Sequence, residues 1–236
     1  MLTLFFVADL PKSIGSIYEF DSEDAHHAVK VLRITAGEIF MLGDGAGSWS
    51  EVKVFAVKKK SLEVEVLSTG FQEPLPISIT VVQAIPKGDR SKEAIELLTE
   101  AGVDTIIPWN AARSIGKGAD KFSVTAREAS KQSRRLRIPQ VADTANTEAI
   151  CALISASDCS IVFHESADKS LSEIQLPDTL KSVLIIIGPE GGITAEELVR
   201  FSEAGAITSR MGRPVLRSAH AGIAAVSALS AKIRVW

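Results

Sequence analysis

Residues 183–198 read VLIIIGPEGGITAEEL. Val183 to Ile187 are five consecutive apolar residues that run directly into Gly188-Pro189-Glu190-Gly191-Gly192. A short, mostly β-branched run of this kind predicts a strand buried on both faces. Thr194 followed three residues later by Glu197 is a capping box, so a helix starts there. The loop between is rich in glycine and stiffened by one proline. Glycine lets a backbone approach a ligand closely or take positive φ, and proline restricts the chain. A buried strand ending in such a loop is where open α/β sheets bind small molecules. A ligand-free strand-to-helix turn has the same pattern, so this loop alone leaves the two readings even.

The pattern recurs. Residues 206–211 (AITSRM) predict a second strand, followed by Gly212-Arg213-Pro214-Val215-Leu216-Arg217. Ser218 is placed as the N-cap of a helix of small residues over 219–232. Upstream, residues 160–163 predict a third strand that runs into His164-Glu165-Ser166. Three strand-to-loop transitions then meet at one sheet edge, which becomes the site hypothesis.

The rest of the chain frames that edge. Of 236 residues, 46% are apolar and 23% charged, as in a soluble globular protein with a proper core. Residues 1–72 predict a small β-barrel domain: strands at 2–7, 38–42, 49–57 and 62–67, and one short helix at 23–32 capped by Ser22. Residues 71–76, with two prolines, form the linker. From Ile77 strands and helices alternate, at 78–84, 90–101, 104–108 and 122–136, which predicts a mostly parallel α/β sheet over 73–236. Only Cys151 and Cys159 are present, with no zinc or disulfide pattern. No leader or membrane-spanning run is seen, so a cytoplasmic protein is expected. Net charge is −3, but residues 83–139 hold 11 Lys/Arg against 7 Asp/Glu, net +4. Within them, residues 127–137 carry five basic residues and one acid, a candidate polyanion-binding face. A solvated helix surface accounts for the same run, so nucleic-acid contact starts at even odds.

Two nucleotide folds are excluded. The first α/β strand is followed by Ile85-Pro86-Lys87-Gly88-Asp89-Arg90, without G-x-G-x-x-G, and no Walker loop occurs. Instead, Gly188-Pro189-Glu190-Gly191-Gly192 with Met211-Gly212-Arg213-Pro214-Val215-Leu216-Arg217 resembles the paired signature of the 16S ribosomal RNA uridine N3-methyltransferases. These are SPOUT (trefoil-knot) enzymes. Lys30-Val31-Leu32-Arg33 resembles a basic motif of that family's PUA-like domain. Glu100-Ala101-Gly102-Val103 resembles its E-L-G-V turn, and Gln132-Ser133-Arg134-Arg135 its Q-S-G-R. Two departures stand out. Arg213-Pro214 reverses the usual proline-then-arginine order, and Ser218-Ala219-His220 replaces Thr-Glu-Thr, removing a carboxylate.

The resemblance implies a knotted C-terminal chain around S-adenosylmethionine (SAM), with His164, Glu165, Ile187, Gly188, Pro189, Glu190, Gly191, Gly192, Met211, Gly212, Val215 and Leu216 holding the cofactor. Arg217 is the foremost candidate for stabilising charge on the uracil ring, and Glu190 either accepts a proton or orients its loop. Arg33, Lys87, Arg113, Arg134, Arg135 and Arg137 are candidate RNA contacts. A homodimer acting on 16S ribosomal RNA, with no metal and no membrane, completes the expectation. The alternatives are an RNA-binding ribosome-assembly factor with a vestigial pocket and a nucleotide-binding oxidoreductase, against which the missing dinucleotide fingerprint counts.

Overall fold

The structure, a computed structural model, describes residues 2–116 and 118–236. The chain forms two compact units. The first runs to Pro74 and takes in Ser130–Ile138, and the second holds Leu75–Ala129 and Pro139–Trp236.

The first unit contains β1 (Leu4–Phe6), β2 (Ile17–Phe20), α1 (Glu23–Lys30), β3 (Ile39–Gly43), β4 (Ser48–Val57) and β5 (Leu62–Phe71). They make one curled sheet in the order β1-β3-β4-β5-β2, with β1 parallel to β3 and the other pairs antiparallel. Phe5, Phe20 and Phe40 meet at its centre with ring centroids 5.3–5.9 Å apart. Ser22 caps α1 by accepting from the Ala25 amide, as its position predicts. β2 was not expected: only Phe20 of its four residues is buried, so no alternation marks it.

Residues 130–138 join this unit through contacts distant in sequence. The Ile138 amide donates to the Gly45 carbonyl at 2.9 Å. The Arg137 guanidinium donates to the carbonyls of Ala46 (2.6 Å) and Gln72 (3.1 Å) and lies over the Phe71 ring. Gly47, at φ +112°, leaves room for that guanidinium, which a Cβ would strike.

The second unit contains β6 (Ser78–Ala84), α2 (Arg90–Glu100), β7 (Thr105–Trp109), α3 (Phe122–Ser133, its end counted with the first unit), β8 (Gln140–Val141), α4 (Thr147–Ala156), β9 (Cys159–Phe163), β10 (Ser182–Ile187), α5 (Ala195–Glu203), β11 (Ile207–Ser209) and α6 (Ser218–Lys232). Its six strands are all parallel in the order β11-β9-β10-β6-β7-β8. Apolar clusters fill both faces. α2 and α6 cover one with Leu98, Val226 and Leu229, and α4 and α5 the other with Ile150, Ile154 and Phe201. This explains why β10 is apolar at consecutive positions rather than alternating.

Three expectations need correction. The helix expected over 122–136 ends at Ser133, where Arg134 takes φ 55°. Arg127 and Lys131 therefore lie on α3, while Arg134, Arg135 and Arg137 lie beyond it. The strand expected over 206–211 pairs only from Ile207 to Ser209. α4, unassigned from sequence, is capped by Asn146, whose side chain accepts from the Ala149 amide at 2.9 Å.

Candidate functional site

The parallel order brings the loops after β9, β10 and β11 to one edge, the carboxyl ends of their strands. Between them lies a cavity of about 730 Å³, within the usual range for small-molecule sites. All twelve residues expected to hold a cofactor line it, from His164 and Glu165 through Ile187–Gly192 to Met211, Gly212, Val215 and Leu216. Arg217 lines it too, as does Arg113, which was expected to contact RNA. Phe163, Ile193, Ala195, Leu198, Arg210, Ser218 and Ala221 are lining residues outside the expected cofactor set.

The wall after β10 is held from several sides. The Gly192 amide donates to the Pro189 carbonyl at 2.9 Å. Arg113 donates to the Gly191 carbonyl (3.1 Å), and the Glu190 carboxylate accepts from the Lys87 amide (3.3 Å). Ser218 Oγ donates to the Gly188 carbonyl at 2.7 Å. Ser218 is therefore not the helix cap. It is the first residue of α6, with Arg217 at the cap position making no side-chain capping bond. Its hydroxyl is drawn instead to a carbonyl thirty residues earlier.

Glycine serves this wall in a way the sequence did not suggest. A Cβ on Gly188 would lie 2.6 Å from the Ile193 side chain, and one on Gly191 would lie 3.0 Å from Arg113 Cβ. Gly192 takes φ +76°. Gly188 and Gly191 are hemmed in by the protein's own atoms, and Gly192 has the backbone conformation that favours glycine. Gly212 contrasts with Gly188 and Gly191: its Cβ would meet nothing nearer than Pro214 Cδ, at 3.9 Å.

Below the wall, Glu197 anchors α5. It is 4% exposed. Its carboxylate accepts from the Thr194 amide (2.9 Å), completing the predicted capping box, and from the Ala112 amide (2.9 Å) and Thr147 Oγ1 (3.3 Å). The loop after β9 is fastened by Arg210, whose guanidinium donates to the carbonyls of Ala167 (2.6 Å) and Asp168 (2.7 Å). The Arg210 backbone also pairs with Lys169 and Leu171.

The candidate RNA contacts separate. Lys87 and Arg113 stand at the glycine wall. Arg33, Arg134, Arg135 and Arg137 belong to the first unit. Arg134 Nε donates to the Leu2 carbonyl, and Arg137 is committed to the carbonyls described above. Among the described residues, no cluster of three or more His, Cys, Asp or Glu is placed to hold a metal, and no helix is long and apolar enough to cross a membrane.

Comparison with known proteins adds a family. The family model described as an RNA methyltransferase domain matches residues 73–230, and that described as an RNA methyltransferase PUA domain matches residues 20–67. A Mycobacterium bovis protein named ribosomal RNA small subunit methyltransferase E is 35% identical, with 99% of this chain and 93% of that protein aligned. Its Bacillus subtilis namesake is 30% identical, covering 90% and 89%. Among solved structures, a Legionella pneumophila protein described as a putative methyltransferase in complex with SAM superposes with TM-score 0.87 at 26% identity, covering 98% of each chain. A Neisseria gonorrhoeae ribosomal RNA small subunit methyltransferase E, bound to SAM, gives 0.89 at 24% identity with the same coverage and supports the fold.

Proposed function

This chain belongs to the ribosomal RNA small subunit methyltransferase E family, and from that premise we propose that it methylates N3 of a uridine in 16S ribosomal RNA, with SAM held in the cavity at the carboxyl edge of β9, β10 and β11. The observation that carries this reading is the meeting of three loops, distant in sequence, around one space of cofactor size.

The cavity fits the cofactor. Ile187, Met211, Val215 and Leu216 offer apolar walls to an adenine, and the backbone of residues 188–192 offers amides and carbonyls to its polar edge. SAM supplies an electrophilic methyl group with a built-in leaving group, so the chain's task is chiefly positioning. The uracil must present N3 unpaired, out of any stack. As that nitrogen gives up its proton to solvent water, negative charge spreads over the ring oxygens, and Arg217 at the cavity rim stabilises it. Glu190 is turned to the Lys87 amide, so its role is to orient the loop.

The reading includes a threaded C-terminal chain. It is supported by the path of residues 210–218, paired with Lys169 and Leu171 at one end and bonded to Gly188 at the other. It also includes a homodimer. A groove of about 680 Å³ runs beside the cavity, lined by Leu171, Pro214, Leu216, Ala224, Ala228 and Lys232, where small residues on α6 permit close approach of a second copy. Light scattering checks this. A monomer at micromolar concentration contradicts it.

The test of the function is mass spectrometry of 16S RNA after incubating SAM and the protein with small subunits from a strain lacking the enzyme. One new N3-methyluridine is expected. Cofactor binding without transfer would point to an assembly factor instead.

A further inference from the structure

Among the described residues, three buried side-chain polar atoms have no hydrogen-bond partner, on His26, Gln83 and Ser230, and that of Gln83 lies nearest the cavity's own bonds. Gln83 sits near the end of β6, in register with Ile187 of β10, and is 0% exposed. Its Nε2 donates to Ser218 Oγ at 3.0 Å and to the Ala84 carbonyl at 2.9 Å. Ser218 has one hydroxyl hydrogen and gives it to the Gly188 carbonyl, so it receives from Gln83, which fixes the orientation of the amide. Gln83 Oε1 has no partner among the described residues. A half-satisfied buried amide costs stability that an apolar residue of similar size avoids. Stability therefore does not explain the glutamine.

We infer that Gln83 is a positioning residue for methyl transfer: acting through Ser218, it fixes the first turn of α6 against the Gly188 carbonyl and so sets the root of Arg217. This rests on the methyltransferase reading above. Arg217 immediately precedes Ser218, and its own carbonyl accepts from the amides of His220 and Ala221. Its backbone is thus held by the helix on one side and by the Gln83–Ser218–Gly188 chain on the other. The glycine wall has further ties through Arg113, Lys87 and Pro189, so it survives loss of this chain. The transfer step should suffer more than cofactor binding.

The test compares wild type, Gln83→Leu, Ser218→Ala, the double variant and Ser218→Thr by SAM calorimetry and single-turnover methylation of small subunits. Each of Gln83→Leu and Ser218→Ala should bind SAM within about 3-fold of wild type and slow transfer by roughly 10- to 100-fold, the cost of a misplaced group. The double variant should be no slower than either single one, because both break one chain. Ser218→Thr should regain most of what Ser218→Ala loses, and Gln83→Leu should melt no lower than wild type. Transfer at the wild-type rate in Gln83→Leu, or multiplied losses in the double variant, overturns the inference. If Gln83→Leu does not fold, the serine pair decides, and equal rates for Ala and Thr overturn it. A wild-type protein that neither binds SAM nor transfers defeats the methyltransferase reading itself, whereas an active wild type with an unaffected Gln83→Leu defeats only this inference.

Discussion

The two glycine-bearing walls of the cavity look alike in sequence and differ in how they are held. The wall after β10 is tied at Gly188, Glu190 and Gly191 by partners from three other places in the second unit, and at Pro189 by Gly192 of its own loop. Across the cavity, no hydrogen bond among the described residues engages residues 211–216. That segment is largely exposed, with Val215 at 74% and Leu216 at 42%. One wall is fastened by hydrogen bonds and the other is not. Segments with few ties sit at the low end of local stability, where ligand-driven ordering is cheapest.

The contrast can be broken first at Arg217, which directly follows the loose wall. Arg217→Ala should lower single-turnover methylation by about 10²- to 10³-fold, as loss of a charge-stabilising donor does elsewhere. SAM affinity, read by calorimetry, should hardly change, because the proposed role of the guanidinium is toward the acceptor. An equal loss of SAM affinity would place Arg217 on the cofactor instead.

Next come the glycines. Gly191→Val presses on Arg113 and should cost about 1–3 kcal/mol of stability, as overpacking does, which lowers Tm by about 2–4 °C per kcal/mol in a chain this long. Gly212→Val meets open space and should leave Tm unchanged while weakening SAM binding. Calorimetry and thermal melts on the same two variants check both. Equal Tm losses would show that the two walls are held alike.

A third way to sharpen the comparison is Glu197, beneath the stapled wall. Glu197→Ala leaves the part-buried amides of Ala112 and Thr194 without their acceptor, at about 1 kcal/mol for each. Urea denaturation should show the loss.

Much of the stapled region was legible because its signals are local. The apolar run into Gly188 and the Thr194–Glu197 box each lie within a few residues. The Asn146 cap of α4 was equally local and was overlooked. What could not be read is contact at long range. Ser218 looked like a cap because nothing nearby reveals that Gly188 and Gln83 will meet it. Arg137 looked like a phosphate contact because the Ala46 and Gln72 carbonyls are 91 and 65 residues away. The need for glycine at 188 and 191 was visible, but its cause was not, since Ile193 and Arg113 reach those positions only in the folded chain.

The smallest expected effect is on pH. Asp158 accepts from the amides of Lys181 and Ser182 and from Ser182 Oγ, at 2.9–3.0 Å, which fastens the start of β10. The Lys181 amide and then the Ser182 hydroxyl hold its carboxyl below the ordinary carboxylate range. A lowered folded-state pKa stabilises the fold above the unfolded value and ceases to do so as pH falls through the lowered one. Melting temperatures followed from neutral to acid pH should therefore fall less steeply in Asp158→Asn than in wild type.

A crystal structure of the SAM complex tests the central claim most directly. Adenosyl density is expected between residues 187–193 and 211–217, with the glycine wall unmoved and residues 211–216 settled against the ligand. Density anywhere else on the chain, or a cavity closed by its own side chains while SAM stays bound, would contradict it.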